Sequence, residues 1–347
     1  MMDILIPLLK IVVIFLFFAV ALAGVLTWVE RKMSAAIQDR IGPNRAPVLG
    51  FKLFGLMHLM ADGIKMIFKE PFYPSQSNKV LFVLAPLISF VPPVLCFSVI
   101  PFGPPILGDE WFLISDMSMG LLFILAISAL SVYGHTIGAW ASNNKWSLLG
   151  GMRTAAQMLG YEMGLTLSIL GIFMVYGTIQ PQELILAQGH LLWGWLPNWG
   201  VVTQPLAFLL FMAAAIAETK RAPFDMPEAD SEIVAGYSTE YSGLAFGMFF
   251  ISEFVGIVLV GAFGAVLFLG GWQIPGLQGD AWWIVALQVC AFLAKTGLLI
   301  YIQMLIRWTV PRMRYDQVMN FGWKLLLPLG TANLVATILV IAAIDLG

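Results

Sequence analysis

Charge is what this sequence has least of. Only 11% of its 347 residues are Asp, Glu, Lys or Arg, against about a quarter in an ordinary soluble domain. That scarcity excludes a water-soluble globule. With a formal net charge of −2 and a pI near 5.9, it also excludes a nucleic-acid binder, which carries a basic footprint. Cysteine is nearly absent too: Cys96 and Cys290 stand far apart in apolar runs, without the paired spacing of zinc, iron–sulfur or dithiol sites. Both read as small core hydrophobes. Histidine stops at three, His58, His135 and His190, and only His135 falls inside an apolar run, as a hydrogen-bonded core residue. Bis-histidine haem ligation needs two at similar depth on facing helices. No metal, no haem and no residue catalytic on its own is therefore expected in this chain. Internal repeats and secretory-signal grammar are missing as well, so the N-terminal apolar run is expected to be retained.

What is present is apolarity: 60% of residues and a mean hydropathy of +0.88. Runs of about twenty apolar residues mark membrane helices. Eight are expected, at roughly 4–29, 80–101, 117–139, 155–177, 204–217, 243–270, 282–308 and 325–345, in a single all-α integral membrane domain covering 1–347. The fifth is the shortest. Basic residues fall in every second connection: Arg31, Lys32, Arg40, Arg45, Lys52, Lys65, Lys69 and Lys79; Lys145 and Arg153; Lys220 and Arg221; Arg307, Arg312, Arg314 and Lys324. The intervening connections have none. Lys and Arg counts in short loops set topology, so both termini are expected outside and these basic loops inside.

Two inside segments stand out. From 52 to 69, Lys52, His58, Asp62, Lys65 and Lys69 recur at helical spacing opposite Leu53, Leu56, Met60, Ile64, Ile67 and Phe68, the pattern of an amphipathic helix lying in the membrane interface. From 218 to 240 the chain reads ETKRAPFDMPEADSEIVAGYSTE. Pro223 and Pro227 forbid one continuous helix, and Glu218, Asp225, Glu228, Asp230, Glu232 and Glu240 face only Lys220 and Arg221. Either this is a solvated charged loop or its acids do chemistry.

Ionisable residues at membrane depth are expensive and mark pathways by default. Glu162, Glu253 and Lys295 qualify, each able to change protonation, as a proton relay requires. A static Glu162–Lys295 ion pair is the structural alternative. Glu162 lies opposite a small-residue stripe of Gly160, Gly164, Ser168 and Gly171 suited to close helix packing.

Certain blocks carry a family resemblance: Glu30-Arg31-Lys32, QDRIGPN from Gln38, ADGIKMIFKE from Ala61, Gln157 to Glu162, RAPFD from Arg221 with Pro227-Glu228, Glu240-Tyr241-Ser242-Gly243, and RYDQ from Arg314 with Gly322-Trp323-Lys324. In this order the chain resembles the H-type membrane subunits of NADH:quinone oxidoreductase, respiratory complex I, whose mitochondrial counterpart is NADH dehydrogenase subunit 1. The resemblance implies a membrane component on which a hydrophilic arm docks, with neighbouring membrane subunits and lipid as its other partners. Quinone, ubiquinone or menaquinone, is the implied substrate, while FMN and iron–sulfur clusters belong to partner subunits. It implies a quinone entry and chamber near Arg31, Arg40, Arg45, Asp62, Lys65, Arg221, Phe224, Arg307, Arg312 and Arg314. It also implies a proton path through Glu162, Glu218, Asp225, Glu228, Asp230, Glu232, Glu240, Glu253 and Lys295. The expected location is the bacterial inner membrane rather than the mitochondrial one. The chain departs from the family at His58-Leu59, commonly Gln-Pro, at Asp230, often Glu, at Ser238, frequently His or Asn, and at Phe254, frequently Tyr. Two rivals share the buried acids: the membrane subunit of a proton-linked hydrogenase or formate-hydrogenlyase complex, and a stand-alone ion transporter.

Replacing Glu162 by Gln keeps its shape and removes its proton. Proton translocation by the complex reconstituted in vesicles is expected to fall at least about tenfold; undiminished translocation would exclude the relay role.

Overall fold

The computed structural model describes residues 10, 12, 21–47, 50, 53–106, 111–192, 194, 196–277, 279 and 281–345, with the side chains of 230, 231 and 345 left aside. Most of the expected first span, Lys52, Asp109, Glu110, Trp193 and Trp195 lie outside the described residues. Among the described residues, six helices are long and apolar enough to cross a membrane, and Pro205–Glu218 is a shorter apolar helix. The only strands among them are the residue pairs Leu191–Leu192 and Leu196–Pro197. The class is an all-α polytopic bundle.

In chain order the α-helices of ten residues or more among the described residues are α1 (Ala23–Ile37), α2 (Met57–Phe68), α3 (Lys79–Cys96), α4 (Gly120–Ala129), α5 (Ser131–Ala141), α6 (Lys145–Tyr176), α7 (Pro205–Glu218), α8 (Gly243–Phe268), α9 (Trp282–Thr309) and α10 (Leu327–Asp345). Helix α8 is the central column, packed against α1, α2, α3 and α9, while α6 packs against α5, α7 and α10. The apolar core runs through Phe211, Phe254, Val258, Phe268, Phe292 and Leu299.

Helix ends depart from the apolar runs for physical reasons. Helix α6 begins at Lys145 rather than 155, because the Asn144 side chain accepts from the Trp146 N–H at 2.9 Å and caps it; hydropathy reports membrane depth, not helix length. The run at 117–139 is divided at Leu130, where tight i→i+3 bonds join Leu130 N to Ile127 O (3.1 Å) and Tyr133 N to Leu130 O (3.2 Å). The last span begins at Tyr315, not 325, and passes through a π turn at Phe321–Leu326. Cys290 is exposed, on an outward face of α9, and is not a core residue; Cys96 is buried.

The helix expected between 52 and 69 is shorter among the described residues, with a separate turn at Leu53–Gly55 before α2. Its charged and apolar positions divide differently from a simple polar stripe. Asp62 turns toward α1 and pairs with Arg31 at 2.6 Å. Met60, Ile64, Ile67 and Phe68 are exposed, as suits a face laid into lipid. The stripe on α6 meets the final span: Gly160 lies against Trp323, Gly164 against Leu326 and Gly171 against Asn333.

The acidic loop is stitched to this bundle. Gln157 on α6, fully buried, donates to the carbonyls of Ala217 and Phe224, each at 2.8 Å. Phe224 packs at a tilt against Tyr161 and Phe321, Met313 N–H bonds Pro223 O at 3.1 Å, and Ser147 donates to Tyr237 O at 3.2 Å. At Gly150 an added methyl would meet the Tyr237 nitrogen at 2.6 Å, so the backbone of the loop rests on that helix.

Gln157→Leu removes the two buried hydrogen bonds that tie α6 to the loop, about 0.5–1.5 kcal/mol each, and leaves the Ala217 and Phe224 carbonyls only their local donors, the Lys220 and Met226 N–H groups. The purified enzyme carrying it is expected to melt several degrees lower and to be cleaved faster by protease between 218 and 240. Unchanged cleavage would show the loop is held elsewhere.

Candidate functional site

The site is built where α7 ends. Just beyond that end, Lys220 has φ +55°, and this left-handed turn sends Lys220 and Arg221 into the bundle, 5% and 6% exposed. Arg221 Nη1 is 3.1 Å from Glu30 of α1, and its Nε is 3.2 Å from Glu253 of α8. Its plane lies 4.2 Å from the Phe254 ring centroid. Arg307 of α9 reaches the same Glu30 at 2.5 Å. The core of the site is thus an alternating row, Arg307–Glu30–Arg221–Glu253, drawn from four parts of the chain.

Tyr237 carries the row onward. Its hydroxyl donates to Glu253 Oε1 at 2.9 Å and also lies in hydrogen-bonding contact with Glu228. Burial pushes that phenol well above its ordinary 10, so it keeps its proton. Part of the Glu228 surface stays open, yet protein encloses most of it. That burial, and then the neighbouring Glu253 carboxylate, push Glu228 up to about 8 from 4.5. A neutral Glu228 donating to Tyr237, with Tyr237 donating to Glu253, is a continuous hydrogen-bonded wire.

Beside it lies a cavity of about 50 Å³ lined by Ser128, Ser131, His135, Glu218, Lys220, Ser252 and Glu253 among others. One water needs about 10–15 Å³ of such space. The cavity thus has room for a few waters and none for a quinone ring. The break at Leu130 sets Ser128 and Ser131 on its wall. Glu218 lies within hydrogen-bonding reach of Ser128 and within electrostatic range of Glu162, which is half-buried on α6.

The remaining expected residues form a rim. Asp225 pairs with Arg312 at 3.5 Å, Glu232 with Arg153 at 2.5 Å, and Glu240 accepts from Asn144 at 2.6 Å. The Asp230 side chain lies outside the described set. Arg314 pairs with Asp316 on the surface. Arg40 donates to Gln38 at 2.7 Å, and Arg45 and Lys65 are exposed. Phe224 is 4% exposed, within the aromatic cluster. Lys295 is placed apart from the row: its ammonium donates to the carbonyls of Gly271 (2.9 Å) and Gln273 (2.6 Å) and sits over Trp199, so the Glu162–Lys295 ion pair does not form. Sequence reasoning missed Glu30, Lys220, His135 and Tyr237 as members of the site. The signal available for Glu30 was its place at the end of an apolar run beside Arg31; for Tyr237 there was none.

Linkage gives the site a pH signature. A carboxyl raised on folding binds more protons folded than unfolded, so Glu228 lowers stability progressively as pH rises from 4.5 to about 8. Burial pushes Lys220 the other way, from 10.5 to about 8. Folded, it binds fewer protons, so its contribution to stability recovers as pH rises through that window. The two contributions meet in a minimum near pH 8. Glu228→Gln is expected to flatten the acid-side slope and leave the alkaline side intact, read by thermal melting of the purified enzyme from pH 5 to 10.

The NADH dehydrogenase family model matches residues 9–338. The H 1 subunit of NADH-quinone oxidoreductase from Geobacter metallireducens is 43% identical over 339 residues, covering 97% of this chain and 96% of that protein. The H 2 subunit from Geobacter sulfurreducens is 44% identical, with 94% of each covered. The corresponding protein of Dehalococcoides mccartyi strain CBDB1 is 43% identical over 97% of this chain and 88% of its own. Matches of that depth along the whole chain show that it belongs to the NADH dehydrogenase family, among the H-type subunits of NADH-quinone oxidoreductase.

Proposed function

We propose that this chain is the membrane subunit in which a proton-pumping NADH:quinone oxidoreductase admits quinone and couples its reduction to proton movement. The observation carrying that reading is the unbroken row Glu228–Tyr237–Glu253 beside a small polar cavity, with Glu218 on its wall and Glu162 beyond. Electrons reach the quinone from FMN and iron–sulfur centres in partner subunits. This chain supplies part of the wall, charge and protons. Asp225 and Arg312, at the rim of the loop, are placed to feel a charge change at a quinone site above it. Glu228 receives that change first, Tyr237 passes it to Glu253, and Glu218 hands it toward Glu162.

Three features support the entry. Helices α1, α2 and α8 pack together, the outer face of α2 is apolar and exposed, and Arg31–Asp62 ties that helix to α1. Quinone leaving the bilayer meets this trio before the acidic loop. The hydrophilic quinone-module subunits cover the loop, and their docking accounts for the exposed charges of Arg40, Arg45 and Arg314. The basic loops support a cytoplasmic position for this face in a bacterial inner membrane, with both termini on the periplasmic side.

A photoreactive quinone on the assembled enzyme is expected to label residues of 52–69, the first span or 218–240. Labels confined to other segments would overturn the chamber assignment.

A further inference from the structure

Two bases lie in contact at the edge of the row and have no part in the path described above. Lys220 Nζ is 2.8 Å from His135 Nε2 and 3.0 Å from Nδ1, and His135 is 1% exposed. The surroundings select the tautomer. His135 Nδ1 is 2.9 Å from the Ser131 carbonyl oxygen, an atom that only accepts, so Nδ1 carries the hydrogen. Nε2 then carries the lone pair, and the Lys220 nitrogen and the Ser89 hydroxyl each lie beside both ring nitrogens, slightly nearer Nε2, with Ser89 at 3.2 and 3.3 Å. Two cations at this separation in a low-dielectric interior repel too strongly to coexist. The contact therefore holds one proton between two bases.

We propose that Lys220 and His135 are a one-proton store for the carboxylate cavity, whose occupancy decides where positive charge faces Glu218, Glu228 and Glu253. In the transfer, a Lys220 N–H bond breaks and leaves its electron pair on Nζ, and an N–H bond forms at His135 Nε2. Charge is conserved and moves by about one hydrogen-bond length, onto the ring that Ser89 touches, Ser89 being joined to Ser252 at 3.2 Å. Once the proton has left the pair, the neutral amine accepts a new one from an adjacent carboxylic acid, leaving its carboxylate, so the pair never carries two. On the reading of this chain as a coupling subunit, the pair is a waiting place for a proton between two steps of the path.

Three observations bear on this. Lys220 keeps a positive φ, a conformation that a residue with a side chain holds only where its surroundings impose it, and the imposed result is burial of its ammonium. Among the described residues, every titratable or charged neighbour facing the pair belongs to the site: Glu218 from α7, Arg221, Glu228 and Tyr237 from the loop, and Glu253 from α8, while α3 presents only the hydroxyl of Ser89. Burial also holds Lys220 at about 8, where an amine exchanges protons at physiological pH.

The test uses the assembled enzyme in vesicles, with coupled turnover and protons moved per NADH followed from pH 6 to 9. Lys220→Arg keeps the charge but does not release it in that range, and His135→Gln keeps the hydrogen bond to Ser131 but takes no proton. Each is expected to lower coupled turnover about tenfold at pH 8, with the double variant no worse than either. Two singles with the parental rate and pH profile, or a double whose losses multiply, would overturn the proposal. Should the variants fail to assemble, the parental enzyme decides. With ring-labelled histidine in this subunit alone, infrared difference spectra are expected to show an imidazole band that shifts on turnover, and a silent band overturns the pair. Undiminished pumping by the Glu162→Gln enzyme would instead remove the coupling reading itself, leaving the two failures distinct.

Discussion

Burial of one guanidinium governs this structure. Arg221 sits almost out of reach of water, and a buried charge is tolerated only where partners replace its hydration. Glu30, Glu253 and the Phe254 ring supply that replacement. Because they come from α1 and α8, satisfying Arg221 fixes the loop against both helices at once. Arg307 then balances the second oxygen of Glu30 and brings in α9. Ion pairs of this kind contribute little net stability over an apolar core. What they contribute here is position: removing any member leaves an uncompensated charge, so the loop has one seating.

That seating accounts for the chemistry of the acids. Outer carboxylates find partners at the rim, in Arg312, Arg153 and Asn144, and behave as anchors. Inner ones do not find enough. Among the described residues, Glu30, Glu218, Glu228 and Glu253 gather around Lys220, Arg221 and Arg307, with Arg31 also in electrostatic range of Glu30. In a low-dielectric interior an unbalanced charge is more costly than a bound proton, and burial with the Glu253 carboxylate beside it pushes Glu228 up to about 8. An acidic loop that looked solvated by composition is, once seated, largely enclosed by protein.

How far this was readable from the chain depends on the kind of signal. Spans, the helix at Met57–Phe68 and the proline-broken loop follow from local patterns of apolarity, charge spacing and backbone restriction, and all are visible within a window of twenty residues. Glu253 and Glu162 were visible because a carboxylate inside an apolar run has no local excuse. Glu30 and Lys220 had one: the first resembles a helix-end charge and the second a topology-setting base beside Arg221. Their partners stand 191 and 85 positions away in the chain, and no periodicity reports contacts of that separation. Lys295 misled for the converse reason. It is buried like a relay member, but the carbonyls of a connecting loop and an indole face hold it, a structural use that composition cannot distinguish from a functional one.

The proposed coupling follows from the buried row Glu228–Tyr237–Glu253 rather than from any single group. A proton on Glu228 stands at the head of that row, and small changes in potential decide whether it stays there. At an effective dielectric constant of about 20, a unit charge about 10 Å away shifts such a balance by roughly 1.7 kcal/mol, more than a tenfold change in occupancy. Charge arriving at a quinone near Asp225 and Arg312 therefore needs no large movement of helices to displace the proton inward. The rigid seating of Arg221 makes this effective, because a loop free to relax would absorb the field by turning its dipoles and would leave the proton where it was.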